Sequence, residues 1–514
     1  MLINKKMLVF FLCLVFILVG SANILAEEPR FGGHLRVGLQ SESVPSLDLH
    51  QTGVTITYHV GWHILETLFT LDEEYKVIPM LAKDYEVSDD GLKYTIWLRE
   101  NVKFHNQSTM DAHDVVASLE RWAALAGVGR RTLENVNNLT IENDYTIVFE
   151  LKEPMGIFLL NLAIPNQGAY IYPKELVEEF GEEDMGDTII GTGPFKLDEW
   201  IRGRHIQVSR FDDYSPVDFD ATGYGGKKVA YVDRITFLPF PDSTVRAAAV
   251  ETGSVHQADF APTIEYQRLE AHPNVNTWMA GPRGFDALMV NARSELLSDP
   301  LIRQAILAAA HAEEVARIRY DDEAVWSLSP SIFPEGSAWY SEAGAEYYNQ
   351  ANPERARELL EEAGYDGTPL KLMTSTGRQE HGITFKRQLE AAGFVVEDTI
   401  VEWATLVSRR GDPELWDLYT TGFTWRADPT QLAFLDPNFA GWWEHPRKEE
   451  LVEKMEIEHA FEKRFEYWEE IQELIYEDVP LIKLADYKTF RISHVDLKNY
   501  INMIDIFFWN TWLD

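Results

Sequence analysis

Cysteine is almost absent from this chain of 514 residues, which contains a single one, Cys13. It lies in an apolar stretch near the N-terminus that we expect to be removed from the mature protein. Disulfide bonds, cysteine nucleophiles and thiolate metal sites are therefore excluded for the rest of the chain. A bacterial lipid anchor is not expected either, because Cys13 comes too early and lacks the small residues that precede an acylated cysteine.

Long apolar runs are also scarce. The run from Met7 to Val19 falls short of the ~20 residues that a membrane-spanning helix needs. It follows two lysines and precedes small residues, which is typical of a secretory signal peptide over residues 1–26, cleaved after Ala22 or Ala26. An uncleaved N-terminal anchor is the alternative. No second run of about 18 apolar residues follows, so we expect an exported protein that is free in the periplasm.

Basic residues are outnumbered by acidic ones, 46 to 83, and the formal net charge is -37. Such a field repels phosphate backbones, which excludes nucleic acid as a partner and disfavours anionic lipid surfaces. Hydrophobic residues make up 45% of the chain and charged residues 25%, as in a globular protein with a sizeable core. The length corresponds to roughly three domains or sub-domains.

Catalytic motifs are missing. The chain contains no H-E-x-x-H helix, no G-x-S-x-G elbow and no G-x-x-x-x-G-K-[ST] loop. His59 and His63 are four residues apart, but no acidic partner completes a known metal-site pattern. Adjacent carboxylates such as Glu361 and Glu362 are typical of a solvated helix face. We therefore expect neither an enzyme nor a metal or cofactor site.

Alternating strand and helix patterns fill the rest of the chain, which favours an α/β fold with mixed sheets. His34 to Leu39 has the alternation of a first strand. Asp111 is placed to cap a helix, and Pro300 and Pro353 each occupy the first turn of another. Apolar residues at helical spacing from Lys448 to Glu477 predict one long helix whose aromatic side chains face the core.

Aromatic residues, by contrast, are plentiful at 12% of the chain. Several lie in polar segments that contain glycine or proline, namely residues 422–429, 441–444 and 507–510. Aromatic faces beside a few polar groups are what a small-molecule cleft needs. Arg426, in the first segment, adds a planar cation suited to a carboxylate or phosphate.

Five segments of the chain carry a family pattern: Asp90–Arg99 with Val102–His105 and Asp114–Val116; Gly191–Phe195 with Trp200, Gly203 and Tyr214; Asp299–Ile306; Ala356, Leu359, Leu360 and Ala363–Tyr365; and Trp416, Asp417, Trp425, Asp428 and Pro429. In this order and spacing they resemble the family 5 solute-binding proteins of ABC importers, the oligopeptide-, dipeptide- and nickel-binding group. The resemblance extends over nearly the whole mature chain.

The resemblance implies a two-lobed periplasmic binding protein that closes on its ligand. By analogy, lobe one consists of residues 27–288 and 483–514, with a sub-domain inserted at about 72–188. Lobe two consists of residues 289–482. The chain crosses twice between the lobes, so a few backbone torsions can absorb the closing motion.

The candidate ligand contacts come from the resemblance and from residue type. Gln40 and Glu42 follow the first strand, which in the family ends at the ligand. Trp403, Trp425 and Trp442 suit stacking on sugar rings. The full set is Gln40, Glu42, Trp403, Phe423, Trp425, Arg426 and Trp442.

One departure from the family pattern bears on the ligand. Peptide-binding members place an aspartate shortly after the cleft aromatic, where it pairs with the free amine of the peptide. Depending on the alignment, that place holds Trp425 or Arg426 here, and an arginine would attract an anion instead. We expect a small peptide or peptide-like solute, anionic ones included, with opine-like compounds and oligosaccharides as alternatives.

The expected function is therefore capture of a solute without catalysis. The partners implied by the resemblance are inner-membrane ABC permease subunits with cytoplasmic ATPases, and we expect a monomer. The alternatives are an exported sensor, which would share the fold and pass the closed state to a receptor, and an exported hydrolase.

Overall fold

The computed structural model describes residues 28–41, 44–320 and 322–514. The predicted signal peptide, residues 1–26, and the predicted site residue Glu42 lie outside the described residues. Within the described ranges, no helix combines the length and the apolar character that crossing a bilayer requires.

A central mixed sheet of 11 strands dominates the described part of the chain. The strand His34–Leu39 is parallel to Arg234–Pro239, which is in turn antiparallel to its next neighbour. The predicted α/β class with mixed sheets is confirmed. From edge to edge the main path runs Val396–Val401, Leu370–Ser375, Leu418–Thr424, Val275–Val290, Leu481–His494, Gln257–Ala258, His34–Leu39, Arg234–Pro239, His205–Arg210 and Phe195–Ile201, and Trp326–Ser327 pairs with Leu481–His494.

Two long antiparallel strands, Val275–Val290 and Leu481–His494, contain the two predicted crossings between the lobes and are hereafter the crossing strands. Lobe one and lobe two hereafter refer to the predicted lobes, whose bounds stay a prediction. The second of them pairs with the lobe-one strand Gln257–Ala258. The first pairs with the lobe-two strand Leu418–Thr424. The sheets of both lobes are therefore extensions of this one pair.

The ladder between the crossing strands changes register between Ala280 and Gly284. Pro282 lies inside this interval and has no N–H to donate to a neighbouring strand. The predicted lobe boundary at residue 288 comes a few residues later, and its position stays a prediction.

Smaller sheets lie beside the central one. An antiparallel four-stranded sheet has the order Ala82–Val87, Lys93–Leu98, Thr146–Leu151, Val136–Asn143. All four strands fall within residues 72–188, the range assigned by resemblance to the inserted sub-domain. The two-stranded sheets pair Phe69–Leu71 with Val77–Pro79 and Leu497–Lys498 with Trp512–Leu513.

Helices begin where the sequence signals them. The Asp111 side chain accepts a hydrogen bond from the His113 amide, and Asp114 completes a capping box. Pro300 and Pro353 lie in the first turns of their helices, as predicted. The α-helices are Thr55–Gly61, Ala112–Leu125, Gly127–Glu134, Phe158–Asn161, Lys174–Phe180, Ser243–Glu251, Tyr266–Glu270, Pro300–Ala309, Ala312–Arg319, Pro353–Glu362, Gln379–Ala392, Trp403–Arg409, Pro446–Ile457 and Phe461–Asp478. Single 3₁₀ turns occur at Thr263–Glu265, Leu296–Ser298, Glu323–Val325, Ala345–Tyr347, Thr376–Arg378, Pro413–Leu415, Pro429–Gln431 and Ala433–Leu435.

The prediction of one long helix from Lys448 to Glu477 is wrong. The chain forms two helices, Pro446–Ile457 and Phe461–Asp478, and Glu458 between them is extended, with φ −75° and ψ 133°.

Contacts from outside the first of these helices explain the break. The Gly156 amide donates to the Glu456 carbonyl at 2.6 Å, and the Arg464 guanidinium donates to the Met455 carbonyl at 3.1 Å. A helix can end only where its last carbonyls find other partners. Gly156 is about 300 residues away in sequence, so local sequence alone gives no sign of this contact, whereas Arg464 belongs to the helix that follows the break.

Each lobe has its own apolar core. Lobe-one residues between 35 and 237 pack with residues 497–509, and the lobe-two core is built from residues between 285 and 484. Trp468 is fully buried in the lobe-two core, as predicted for the aromatic stripe of its helix. The aromatic segment 507–510 lies in the lobe-one core and does not line a cleft.

A buried ion pair fastens the helix Ala112–Leu125 to the first segment of lobe one. The Arg121 guanidinium donates to both oxygens of Asp48, at 2.5 and 3.0 Å, and the side chains are 2% and 0% exposed. Arg121 also donates to the carbonyls of Gly181 and Glu183. Such full hydrogen bonding is what makes a buried ion pair tolerable.

We expect Asp48→Asn to lower the free energy of unfolding by about 3 kcal/mol, because the buried Arg121 charge would lose its counter-ion. Guanidinium chloride unfolding followed by tryptophan fluorescence measures the change. The matched control is Glu178→Gln, which removes the exposed ion pair with Lys174 and should cost less than about 1 kcal/mol. Equal losses in the two variants would contradict the assignment.

Candidate ligand-binding site between the lobes

Two aromatic rings from opposite lobes meet across the interface. Tyr75 lies in the turn after the lobe-one strand Phe69–Leu71, and Trp425 directly follows the lobe-two strand Leu418–Thr424. Their ring centroids are 4.1 Å apart at an interplanar angle of 53°. The Trp425 amide donates to the Arg283 carbonyl at 2.8 Å, so the strand ladder of lobe two holds the indole against lobe one.

Polar side chains lie beside this contact. Arg283 belongs to the first crossing strand, and its Nη1 is 3.8 Å from Oδ1 of Asp505. The same carboxylate oxygen lies 2.9 Å from Nε2 of His59 and accepts a hydrogen bond from the Tyr58 hydroxyl at 3.3 Å. The guanidinium of Arg283 also lies over the ring of Phe260, 5.4 Å from its centroid. We refer to Tyr58, His59, Tyr75, Arg283, Trp425 and Asp505 as the cleft cluster.

Two donors of the cleft cluster are buried without acceptors. Nη1 of Arg283 and Nε1 of Trp425 have no hydrogen-bond partner among the described residues. A buried polar group without a partner loses the free energy of its hydrogen bonds to water. This pair of donors is therefore the feature of the interface that calls for a ligand.

The carboxyl group of Asp505 is held ionised. Burial raises its pKa, but the hydrogen bond and charge of His59 and the charges of Arg283 and Arg491 outweigh burial, and the net shift is downward. Burial also raises the pKa of Tyr75 above its usual value. The tyrosine hydroxyl therefore stays protonated at neutral pH.

Two buried arginines position the segments around the cluster. Arg491, on the second crossing strand, donates to the Asp259 carboxylate at 2.7 Å and to the Ile504 carbonyl. Arg246 donates to the backbone carbonyls of Asp259 at 2.9 Å and Phe260 at 2.6 Å. These bonds fix the positions of Phe260, which lies under the Arg283 guanidinium, and of Ile504, which directly precedes Asp505 in sequence.

A second polar cluster lies on the lobe-two side of the first crossing strand. Asp286 accepts hydrogen bonds from Tyr320 at 2.5 Å and from Arg378 at 3.1 Å, and lies 3.2 Å from Nε2 of His381. Burial opposes ionisation of Asp286, but His381, Arg378 and Tyr320 outweigh it and lower the pKa to about 2. Arg378 lies over the ring of Trp403, 5.8 Å from its centroid. Trp403 therefore belongs to this second cluster.

Of the predicted ligand contacts in the segment 422–429, only Trp425 joins the cleft cluster. Phe423 packs against Phe285 in the lobe-two core, with 5.4 Å between centroids. Arg426 is exposed to solvent. The cation at the interface is Arg283 and not Arg426.

The other predicted contacts lie elsewhere. Trp442 is 7% exposed and stacks on Trp416 at 5.7 Å, with the Arg293 guanidinium 4.8 Å from its ring centroid. Trp442 packs in the lobe-two core, and its predicted contact with a ligand stays a prediction. Trp403 is 44% exposed. Gln40 is exposed at the end of the first strand.

Sequence reasoning missed Tyr75, Arg283 and Asp505. The available signal for Arg283 is the turn-forming Gly281-Pro282 pair directly before it, which marks an irregular strand. His59 was noticed, but without an acidic partner. That partner, Asp505, is 446 residues away in sequence.

Other site types find no support in the described part of the chain. It contains no group of three or more histidine, cysteine, aspartate or glutamate side chains able to hold a metal ion. A cavity of about 420 Å³ lies between the helices Ala112–Leu125 and Lys174–Phe180 of the inserted sub-domain. Its lining includes no residue of the cleft cluster.

Comparison with protein-family models gives a match over residues 76–443, which is more than half of the chain. The matching model describes the bacterial extracellular solute-binding proteins, family 5, middle region. The match includes Arg283 and Trp425 of the cleft cluster.

Two curated relatives extend the similarity. A probable peptide ABC transporter periplasmic-binding protein of Sinorhizobium fredii is 26% identical over 483 residues, which cover 88% of each chain. A glutathione-binding protein of Salmonella paratyphi A is 30% identical over 369 residues, 70% of this chain and 67% of the relative.

A solved structure supports the fold. The periplasmic binding protein DppA of Helicobacter pylori, in complex with the peptide STSA, aligns with 94% of this chain and 99% of its own. The TM-score is 0.69 at 23% identity. The chain thus has the two-lobed fold of periplasmic binding proteins, and it belongs to family 5 of the bacterial extracellular solute-binding proteins.

Proposed function

We propose that this protein captures a small peptide or peptide-like solute between its lobes and delivers it, chemically unchanged, to the permease of an ABC importer in the inner membrane. The family assignment supports solute capture. The names of the two relatives, which refer to peptide transport and to glutathione binding, support a peptide as the solute. The protein would act as a free monomer in the periplasm after loss of residues 1–26.

The observation that carries this proposal is the composition of the cleft cluster. Lobe one contributes Tyr75 and Asp505, lobe two contributes Trp425, and a crossing strand contributes Arg283. Aromatic faces beside a few oriented polar groups are typical of sites for small organic molecules. A solute between them would touch both lobes at once.

Contact with both lobes is what couples binding to closure. A ligand that shifts the ratio of closed to open protein from 1:99 to 99:1 must bind the closed state more tightly than the open state by about 5.5 kcal/mol. Groups on one lobe alone cannot supply this difference, because they contact the ligand equally in both states.

The oligosaccharide alternative depends on Trp403, Trp425 and Trp442 as stacking surfaces. Of these three, only Trp425 belongs to the cleft cluster, so a single indole remains for a sugar ring. A peptide needs fewer exposed aromatic faces and more hydrogen-bonding groups, which the cluster provides.

A close backbone contact between the lobes lies at Gly156 of the inserted sub-domain. Its amide donates to the Glu456 carbonyl at the end of a lobe-two helix. A Cβ atom at this position would overlap the Glu458 carbonyl oxygen and lie 2.7 Å from that of Met455. Only glycine lets the lobes approach this closely, so we propose that Gly156 is required for full closure.

Calorimetric titration of residues 27–514 with di-, tri- and tetrapeptides, glutathione included, tests the proposed function. We expect binding of one solute per protein and recovery of the intact solute by mass spectrometry. Cleavage of the bound peptides, or binding of oligosaccharides in their place, would contradict the proposal.

Replacement of Trp425 by alanine should raise the Kd of the best-binding peptide at least about fivefold, which corresponds to ~1 kcal/mol. The indole contacts Tyr75 of the opposite lobe, so its loss removes an interlobe contact as well as ligand contact. The matched control is Trp200→Ala on the edge strand Phe195–Ile201, with Kd measured by the same titration. An unchanged Kd for Trp425→Ala would remove this residue from the site.

Substitution of Gly156 by valine should hold the lobes apart without touching the cleft cluster. We expect weaker peptide binding and a larger radius of gyration of the peptide-saturated protein in small-angle X-ray scattering. Gly127→Ala in the same sub-domain is the control, because the nearest neighbour of a Cβ there is 3.7 Å away. Wild-type compaction in the Gly156→Val protein would show that the contact is not part of closure.

A further inference from the structure

Arg283 differs from the other arginines packed around the interface. Arg491 donates to the Asp259 carboxylate and to the Met503 and Ile504 carbonyls. Arg246 is likewise saturated by backbone carbonyls. Nη1 of Arg283 is buried and has no hydrogen-bond partner among the described residues.

The one carboxylate beside Arg283 does not satisfy it. Oδ1 of Asp505 is 3.8 Å from Nη1, beyond hydrogen-bonding distance. That oxygen already has His59 at 2.9 Å and the Tyr58 hydroxyl at 3.3 Å. Asp505 therefore compensates part of the arginine's charge but none of its hydrogen-bonding capacity.

A second unsatisfied donor belongs to the same place. The backbone of Trp425 is hydrogen-bonded to Arg283, and Nε1 of its indole is buried without a partner. The indole contacts the tilted ring of Tyr75, whose hydroxyl lies against the backbone of Ile504, next to Asp505 in sequence. Both donors thus belong to one small region where the lobes meet.

We infer that the solute presents a carboxylate to Arg283, and that this contact, together with a hydrogen bond from Trp425 Nε1, selects solutes that carry one. This inference rests on the proposed function and names the chemical class of the solute. A planar guanidinium matches a carboxylate with two parallel hydrogen bonds, and such charge-assisted bonds are stronger than neutral ones. Two donors with no internal acceptor form a site for acceptor oxygens and not for an ammonium group.

The charges around the cluster favour the same orientation. Asp505 is paired with His59, and Oδ1 of Asp259 is paired with Arg491, while Oδ2 of Asp259 has no hydrogen-bond partner among the described residues. An ammonium group would meet the positive charge of Arg283, whose guanidinium lies over Phe260, the residue after Asp259. The carboxylate end of the solute, or an acidic side chain, therefore faces the crossing strand.

The test compares each peptide that binds in its free-acid form with its C-terminal amide, by calorimetry, on the wild-type protein and on Arg283→Gln. We expect the wild type to bind the acid at least about tenfold more tightly. In Arg283→Gln this preference should disappear while affinity for the amide stays within about threefold. Arg355→Gln, on an exposed lobe-two helix, is the matched control and should keep the preference.

Three outcomes would overturn the assignment. Equal binding of acid and amide by the wild type would show that no carboxylate is recognised. An equal loss for acid and amide in Arg283→Gln would show a structural role. Loss of the preference in Arg426→Gln and not in Arg283→Gln would place the cation at Arg426.

A peptide-independent arm separates this inference from the proposed function. Thermal unfolding of the wild type and Arg283→Gln is measured in millimolar succinate and in succinamide, its neutral analogue. We expect succinate alone to raise the Tm, and only with Arg283 present. That result supports the carboxylate site even if every peptide fails to bind, and an equal response of the two proteins overturns it.

Discussion

The antiparallel pairing of Val275–Val290 with Leu481–His494 is the interaction on which the rest of the architecture depends. Strands of lobe one add to one end of this pair and strands of lobe two add to the other. The ladder loses its register between Ala280 and Gly284, and Arg283 lies in that interval. The proposed solute contact at Arg283 therefore lies at the irregularity in the ladder that joins the two halves of the sheet.

Two buried arginines of the structure illustrate how a guanidinium is held in the scaffold. Arg121 is paired with Asp48 and Arg491 with Asp259, and both also donate to backbone carbonyls. Arg283 differs from these two because its buried Nη1 has no hydrogen-bond partner among the described residues. The missing hydrogen bonds at Arg283 and Trp425 destabilise the empty protein, and under the proposal a solute with acceptor oxygens forms them. A solute without acceptors leaves both donors unpaired, so it would bind less tightly.

Local signals in the sequence predicted local structure well. The cap at Asp111 and the helix starts at Pro300 and Pro353 depend on neighbours within a few residues. The family pattern predicted the fold class, which the structure and the comparisons confirm, and it selected Trp425, whose ring contacts Tyr75. The features that local signals missed involve distant partners: the break after Ile457 depends on Gly156, and the burial of Trp442 depends on Trp416. Arg283 and Arg426 are both arginines beside turn residues, and only tertiary structure distinguishes Arg283, whose Nη1 is buried, from the solvent-exposed Arg426.

The core of lobe one has a consequence for how the chain is made. The helix Thr55–Gly61 and the residues after it pack on segment 507–509, and the Phe508 amide donates to His63, 445 positions earlier in the chain. Contacts this distant form only after the intervening chain is complete. Lobe one therefore cannot finish its core until the last residues of the chain have been synthesised, and Asp505 of the cleft cluster reaches its place only at that stage.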